Sequence, residues 1–131
     1  MAKILIIEDD DLVRKAFVSL FEDQDHEILT AESGEKGIEL AKQKPDMILC
    51  DLLMPKMSGY EIAKKIKSQD STRDIPLIAL TALTIESGRE KAVTAGFDKY
   101  IEKMIGPEEI INEIQHIYDK LSLLVEKTSH Y

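Results

Sequence analysis

Residues 47–55 most constrain how this chain can fold, because they set one carboxylate, Asp51, within a run of apolar side chains. A run that is apolar on both faces is typical of a strand buried on both sides of a parallel sheet. Pro55 and the Lys-Met-Ser-Gly sequence after it end the strand. We therefore expect Asp51 near the carboxyl edge of a central strand, where open α/β sheets bind their ligands. An ionised carboxylate in such surroundings requires a partner.

Strand and helix patterns alternate through the rest of the chain. Four further apolar runs predict strands, at residues 4–7, 28–31, 76–80 and 100–102. Helices are predicted after each strand, with Ser33 as an N-cap, a second helix start near Ser58 and a last one at residues 106–108. The apolar stripe of the first helix comprises Leu12, Val13, Ala16, Phe17, Leu20 and Phe21. Residues 84–95 predict the weakest helix, because Gly88 interrupts it, and Gly96 is its terminator. Five alternations predict a doubly wound parallel α/β sheet with right-handed crossovers.

Composition narrows the class of protein. A chain of 131 residues predicts one domain, and a net charge of −8 argues against direct nucleic-acid binding. Lys64, Lys65 and Lys67 are interpreted as a solvated helix face. No apolar run is long enough to cross a membrane. One cysteine, Cys50, allows no intramolecular disulfide, which favours a cytoplasmic location, and it is interpreted as a buried thiol.

Polar residues follow four of the five predicted strands. Glu8 and Asp9 follow the first, Asp51 ends the third, Thr81 ends the fourth and Lys103 ends the fifth. Because parallel strands share one carboxyl edge, these side chains are expected to converge. Three neighbouring carboxylates need a cation, and oxygen ligands suit Mg²⁺. Together with the hydroxyl and the ammonium, they predict a site for a phosphoryl group, with an oxygen of Asp51 as its acceptor.

These segments resemble the receiver domain of two-component response regulators, in particular the CheY-like single-domain regulators. The resemblance covers about residues 3–121, taken as a domain of residues 1–121 followed by a C-terminal helix extension or tail at 122–131. It rests on four segments, ILIIEDD, PDMILCDLLMPKMSG, IPLIALTA and AGFDKYIEK. It implies a flavodoxin-like five-stranded sheet of order 2-1-3-4-5 with five helices.

The resemblance also implies roles for the acidic residues. Asp51 would be phosphorylated by a sensor histidine kinase or a histidine phosphotransfer protein. Asp9 would bind Mg²⁺ directly, together with Asp51 and the backbone carbonyl of Leu53, and Glu8 would act through water. Mn²⁺ is the expected substitute for Mg²⁺. On this interpretation the protein is a phosphoacceptor and not an enzyme.

Further expectations from the resemblance concern the switch. Thr81 and Lys103 would hold the phosphoryl oxygens, and Tyr100 would turn inward with Thr81, changing a protein-interaction surface around residues 84–118. A downstream protein would read that surface, and the chain would be a monomer or a weak dimer. Met104 stands where the family usually has a proline, so we expect the Lys103–Met104 peptide bond to be trans. We then expect the Lys103 side chain to be held less firmly in its orientation toward the phosphoryl group.

The same residues suggest three alternative functions. A haloacid-dehalogenase-type phosphatase needs a second acid two residues after the nucleophile, where this chain has Leu53. A flavin-binding module needs a phosphate loop after the first strand, where this chain has four acids, residues 8–11. A receiver-like module that is never phosphorylated stays open, and labelling with acetyl phosphate separates it from a true receiver.

Overall fold

Strands and helices alternate along the part of the chain that the structure describes. A computed structural model describes residues 2–22, 26–81, 85–102 and 112. Its strands are β1 Lys3–Ile7, β2 Glu27–Ala31, β3 Met47–Asp51, β4 Leu77–Thr81 and β5 Lys99–Glu102. Its helices are α1 Asp11–Glu22, α2 Gly34–Ala41, α3 Gly59–Lys67 and α4 Ile85–Ala95.

All five strands pair in parallel in the order β2-β1-β3-β4-β5. The predicted flavodoxin-like sheet is therefore confirmed, with β3 at its centre and β2 at one edge. The structure describes four of the five predicted helices. The fifth predicted helix falls mostly on residues outside the described part of the chain. Within it the structure describes Asn112 alone, which is in helical conformation.

Both faces of the sheet are buried, as the unbroken apolar strands predict. Side chains alternate along β1, so that Ile4 and Ile6 pack with Phe17 and Phe21 of α1 on one face. Alternate residues of the same strands pack against α2, α3 and α4 on the other face. All five residues of β3 are buried. Burying a large aliphatic side chain contributes about 1.5–3 kcal/mol, so the position of β3 is strongly determined.

Local signals fix the ends of three helices as predicted. Ser33 Oγ accepts a hydrogen bond from the Lys36 amide at 3.3 Å and caps α2. Ser58 Oγ caps α3 in the same way, accepting from Glu61 at 3.3 Å. Gly96 ends α4 with φ of +116°, a backbone conformation that side chains disfavour.

Among the side chains that the structure describes, the apolar stripe of α1 differs from the prediction at two positions. Phe17 is buried and Val13 is partly buried, whereas Leu12 is 80% exposed and Ala16 is exposed. Successive helical residues are 100° apart, so the face centred on positions 13, 17 and 21 turns positions 12 and 16 sideways. Pairs spaced by four residues therefore predicted too wide a buried stripe.

The interpretation of the lysines as a solvated face is wrong for Lys67. Lys64 and Lys65 are exposed, but Lys67 Nζ donates to the carbonyl of Ile75 at 3.0 Å and contacts the carboxylate of Asp98 at 3.2 Å. Lys67 Nζ donates a third hydrogen bond to the backbone carbonyl of Arg73, in the loop before β4, at 3.1 Å. This lysine ties the end of α3 to the starts of β4 and β5, at the edge of the sheet opposite the predicted site.

Candidate functional site

The two central strands bring three carboxylates together at the carboxyl edge of the sheet. Glu8 and Asp9 directly follow β1, and Asp51 is the last residue of β3. Ile7 pairs with the residue before Asp51 in the sheet register, so the acidic turn lies alongside Asp51. One oxygen from each of the three carboxylates lies within 4.8 Å of the other two. The structure thus brings these predicted acidic residues together.

Two of these carboxylates are removed from solvent. Glu8 is 3% exposed and Asp51 is 8% exposed, whereas Asp9 is exposed. If Glu8 and Asp51 were both ionised, their repulsion within 4.8 Å would be at least about 3.5 kcal/mol at an effective dielectric constant of 20. A cation between the carboxylates would convert that repulsion into attraction.

Backbone contacts hold Asp51 in place. The Leu53 amide donates to Asp51 Oδ1 at 3.1 Å, and the Cys50 thiol, buried as predicted, donates to the Asp51 backbone carbonyl at 3.3 Å. Gly59, at the start of α3, donates its amide to the Leu52 carbonyl at 3.0 Å. A Cβ at position 59 would lie 2.6 Å from Leu52 Cα and closer still to the Asp51 carbonyl oxygen. Glycine therefore allows α3 to approach the end of β3.

The turn that carries Glu8 and Asp9 is fastened from α1. Arg14 Nη1 donates to the Glu8 carbonyl at 2.9 Å and is 3.4 Å from the Asp9 carbonyl. Asp10 accepts from the Val13 amide at 3.0 Å, so this acid is a cap, as its place before a helix indicates. Through these two contacts Arg14 positions the backbone of both acids. Its signal in the sequence is a basic residue one turn into a helix that opens with acids.

The remaining predicted site residues lie on β4, on β5 and beyond them. Asp51 pairs with the residue before Thr81, so the Thr81 backbone lies at the same edge one residue further on. Tyr100 is half-buried and packs against the core cluster, where its Cα pairs with that of Ala79. Lys103 falls outside the described residues, as does the Met104 position next to it.

The carboxylate cluster has the donor chemistry of a magnesium site. Among the described residues, Glu8, Asp9 and Asp51 form the one group of three ionisable side chains able to share a metal ion. It contains neither imidazole nor thiolate, which are the ligands that softer transition metals favour. Oxygen donors from a few carboxylates, completed by water or phosphate, are what Mg²⁺ takes in proteins. The residues present therefore fit the predicted ion.

Comparison with known proteins assigns the family. The family model described as the response regulator receiver domain matches residues 4–115. The chain belongs to the response regulator receiver domain family. A receiver domain acts in two-component signalling, where it interacts with histidine kinases and downstream targets. Similar proteins include the polar-differentiation response regulators DivK of Brucella anthropi and Brucella abortus. Each is 34% identical over 113 residues, which cover 86% of this receiver domain and 92% of the relative.

Solved structures agree with this assignment. The chemotaxis protein CheY4 of Vibrio cholerae superimposes with a TM-score of 0.82 at 26% identity, covering 88% of this chain and 98% of that chain. The receiver domain of the sensor histidine kinase PA1611 of Pseudomonas aeruginosa gives a TM-score of 0.79, also at 26% identity, covering 88% and 95%. That structure has a magnesium ion coordinated in its active site cleft.

The described part of the receiver domain contains no helix that is long and apolar enough to cross a membrane.

Proposed function

We propose that this receiver domain accepts a phosphoryl group on Asp51 from the phosphohistidine of a histidine kinase or a histidine phosphotransfer protein. The position of Asp51 carries the proposal, because its carboxylate ends the central strand beside Glu8 and Asp9. The phosphorus would pass to a carboxylate oxygen of Asp51 as the N–P bond of the donor breaks, and the bonding pair would stay with the imidazole. The chain would then serve as a signalling switch and not as an enzyme.

Asp9 and Asp51, with the backbone carbonyl of Leu53, would hold Mg²⁺ directly, and Glu8 would act through water. When bound, this ion supplies positive charge that offsets the carboxylates and the incoming phosphoryl oxygens. The Leu53 amide holds Asp51 Oδ1 and so fixes the orientation of the accepting carboxylate. The magnesium ion in the related Pseudomonas aeruginosa receiver domain supports this assignment. Mn²⁺, which takes the same oxygen donors, would substitute.

The output would follow from movement at the ends of β4 and β5. Thr81 and Lys103 would bind the phosphoryl oxygens, and Tyr100 would turn inward with Thr81. Among the side chains of α4 that the structure describes, residues 90–95, the buried ones are Ala92 and Ala95. Both are small, so this part of the helix gains little from apolar burial and is readily repositioned. The changed surface, around residues 84–118, would bind a downstream protein. We expect a monomer or a weak dimer acting in the cytoplasm.

Exposed apolar residues beside the carboxylates favour a protein as the phosphoryl donor. Leu12 is 80% exposed and Leu53 is 54% exposed, and they follow Asp9 and Asp51 by three and two residues. Within the described part of the chain, Val93 of α4 is the other large apolar residue exposed to this extent, at 63%. Exposed apolar side chains are typical of interaction surfaces, and the closeness of Leu12 and Leu53 in the chain to two of the carboxylates favours such a surface at this edge of the sheet.

Asp51→Asn tests the phosphoacceptor directly. The purified chain is treated with acetyl phosphate and Mg²⁺, and its intact mass is measured. The unaltered chain and Asp74→Asn, a matched change at an exposed aspartate, should each gain one phosphoryl group. Asp51→Asn should gain none while keeping a cooperative unfolding transition. A full phosphoryl adduct on Asp51→Asn would refute the assignment.

Removal of the metal tests the carboxylate cluster separately. A ligand that binds only the folded state stabilises it by about 2.7 kcal/mol at one hundred times its Kd. Mg²⁺ should therefore raise the Tm of the unaltered chain and raise it much less in Asp9→Asn, and Mn²⁺ should behave in the same way. An identical Tm with a chelator and with millimolar Mg²⁺ would contradict the proposed metal site.

A further inference from the structure

A groove of about 410 Å³ opens beside the carboxylate cluster, between the start of α2 and the loop after β3. Asp9 lines both the groove and the cluster, so the two are continuous. Met54 and Met57 supply apolar lining, and Glu32 and Glu35 add carboxylates. None of these four residues has a part in the proposed phosphoacceptor chemistry.

The apolar side of the groove is already formed. Met54 and Met57 are half-buried and pack against the core cluster beneath α2 and α3. A Cβ at Gly34 would lie 2.9 Å from Met57 Sδ and 2.9 Å from Ile62 Cγ1, so glycine lets the loop after β3 lie directly on the start of α2. Thioether side chains are flexible and polarisable, and they adapt to varied apolar partners.

The charged side of the groove is mostly acidic. Asp9, Glu32 and Glu35 are exposed, and Lys56 is the single basic residue in the lining. The ion pairs found among residues 2–22, 26–81 and 85–102 do not involve Glu32 or Glu35. An occupant with a basic side chain would therefore complement the groove.

We propose that this groove docks the phosphodonor protein, which would place an apolar side chain on Met54 and Met57 and a neighbouring lysine or arginine between Glu32 and Glu35. This inference rests on the proposed function. A donor that delivers its phosphohistidine to Asp51 must cover the rim of the cluster, where the groove begins. The phosphohistidine is anionic and is repelled by the acidic residues at the rim of the cluster. A lysine or arginine beside it on the donor would offset this repulsion and would fix how the donor is aligned on the groove.

The experiment compares a protein donor with a small one. Histidine kinases from the same organism are purified and phosphorylated with ATP, and phosphotransfer proteins are phosphorylated by those kinases. Each phosphorylated protein is mixed with the unaltered chain to find the donors that transfer fastest. The same transfer is then measured with Glu32→Lys/Glu35→Lys. The control is Glu27→Lys/Glu39→Lys, which makes the same change in net charge at exposed positions outside the groove.

We expect transfer from the protein donor to fall at least tenfold in the groove variant and less than threefold in the control, with labelling by acetyl phosphate not reduced in either. Met54→Gln should also slow transfer from the protein donor alone. Equal transfer to the groove variant and the unaltered chain would overturn the inference. An equal loss of transfer in the control variant would also overturn the inference. The inference would likewise fail if no protein donor transferred a phosphoryl group to a chain that acetyl phosphate labels. Failure of acetyl phosphate to label the unaltered chain would instead refute the proposed function.

Discussion

Gly59→Ala should destabilise the protein and misplace the phosphoacceptor, although alanine is ordinarily the better helix residue. Gly59 is the first residue of α3, directly after the Ser58 cap. An added Cβ would lie 2.6 Å from Leu52 Cα and 3.1 Å from the Asp51 carbonyl carbon, and a Cβ essentially never approaches another atom within 3.0 Å. All of these atoms are backbone, so no side-chain rotation relieves the clash. The start of α3 or the end of β3 must move.

The magnitude follows from two opposing effects. Replacing glycine by alanine within a helix stabilises by up to about 1 kcal/mol. Forcing extra volume into a packed site costs about 1–3 kcal/mol. Because the obstacle at position 59 is backbone, we expect the second effect to dominate and the free energy of unfolding to fall by about 1–2 kcal/mol.

Urea unfolding of Gly59→Ala and Gly37→Ala provides the assay and its control. At Gly37, in the interior of α2, the added Cβ would meet Ile7 Cδ1 at 2.5 Å and Cγ1 at 2.8 Å, which are atoms of one buried side chain and not of the backbone. Gly37→Ala should therefore lose less stability than Gly59→Ala. At a urea concentration where both are folded, Gly59→Ala alone should be labelled more slowly by acetyl phosphate. A Gly59→Ala protein as stable as the unaltered chain would refute the reasoning.

Three further predictions concern packing and the end of the chain. Lys67→Met should lower the free energy of unfolding by about 1–2 kcal/mol, because Lys67 Nζ has three acceptors within 3.2 Å. The control Lys65→Met, at an exposed position, should change the free energy of unfolding by less than about 0.5 kcal/mol. Equal urea midpoints for the two variants would contradict the role of Lys67. Thr72→Val should lower the free energy of unfolding by about 1 kcal/mol, because the buried Thr72 hydroxyl donates a hydrogen bond to the Ile66 carbonyl at 2.6 Å. An unchanged urea midpoint would contradict a stabilising role for this hydrogen bond. Deletion of residues 122–131 should reduce any self-association measured by sedimentation, because Leu124 and Val125 continue the apolar stripe expected of the last helix. An identical mass distribution after the deletion would contradict a role of this segment in self-association.

Much of the candidate site could be predicted because its positions are tied to strand ends. Glu8, Asp9 and Asp51 follow apolar runs whose type and order are plain in the sequence, and parallel strands must end at one edge. The groove could not be predicted in this way. Met57 comes from the loop after β3 and Glu35 from the first turn of α2, and their approach depends on how the start of α2 packs against α3 and that loop.

Local sequence determined the elements of this protein, and tertiary packing decided what several of their side chains do. Ser33 and Ser58 cap their helices through bonds that span three residues, so the local sequence suffices to predict them. Leu12 shares an apolar character with Phe17, yet only the docking of α1 on the sheet determines that Phe17 is buried and Leu12 exposed. Lys67 has the sequence environment of a solvated lysine, and its acceptors are brought to it from six to 31 residues away. Contacts between residues so far apart depend on the whole fold, which a local pattern does not encode.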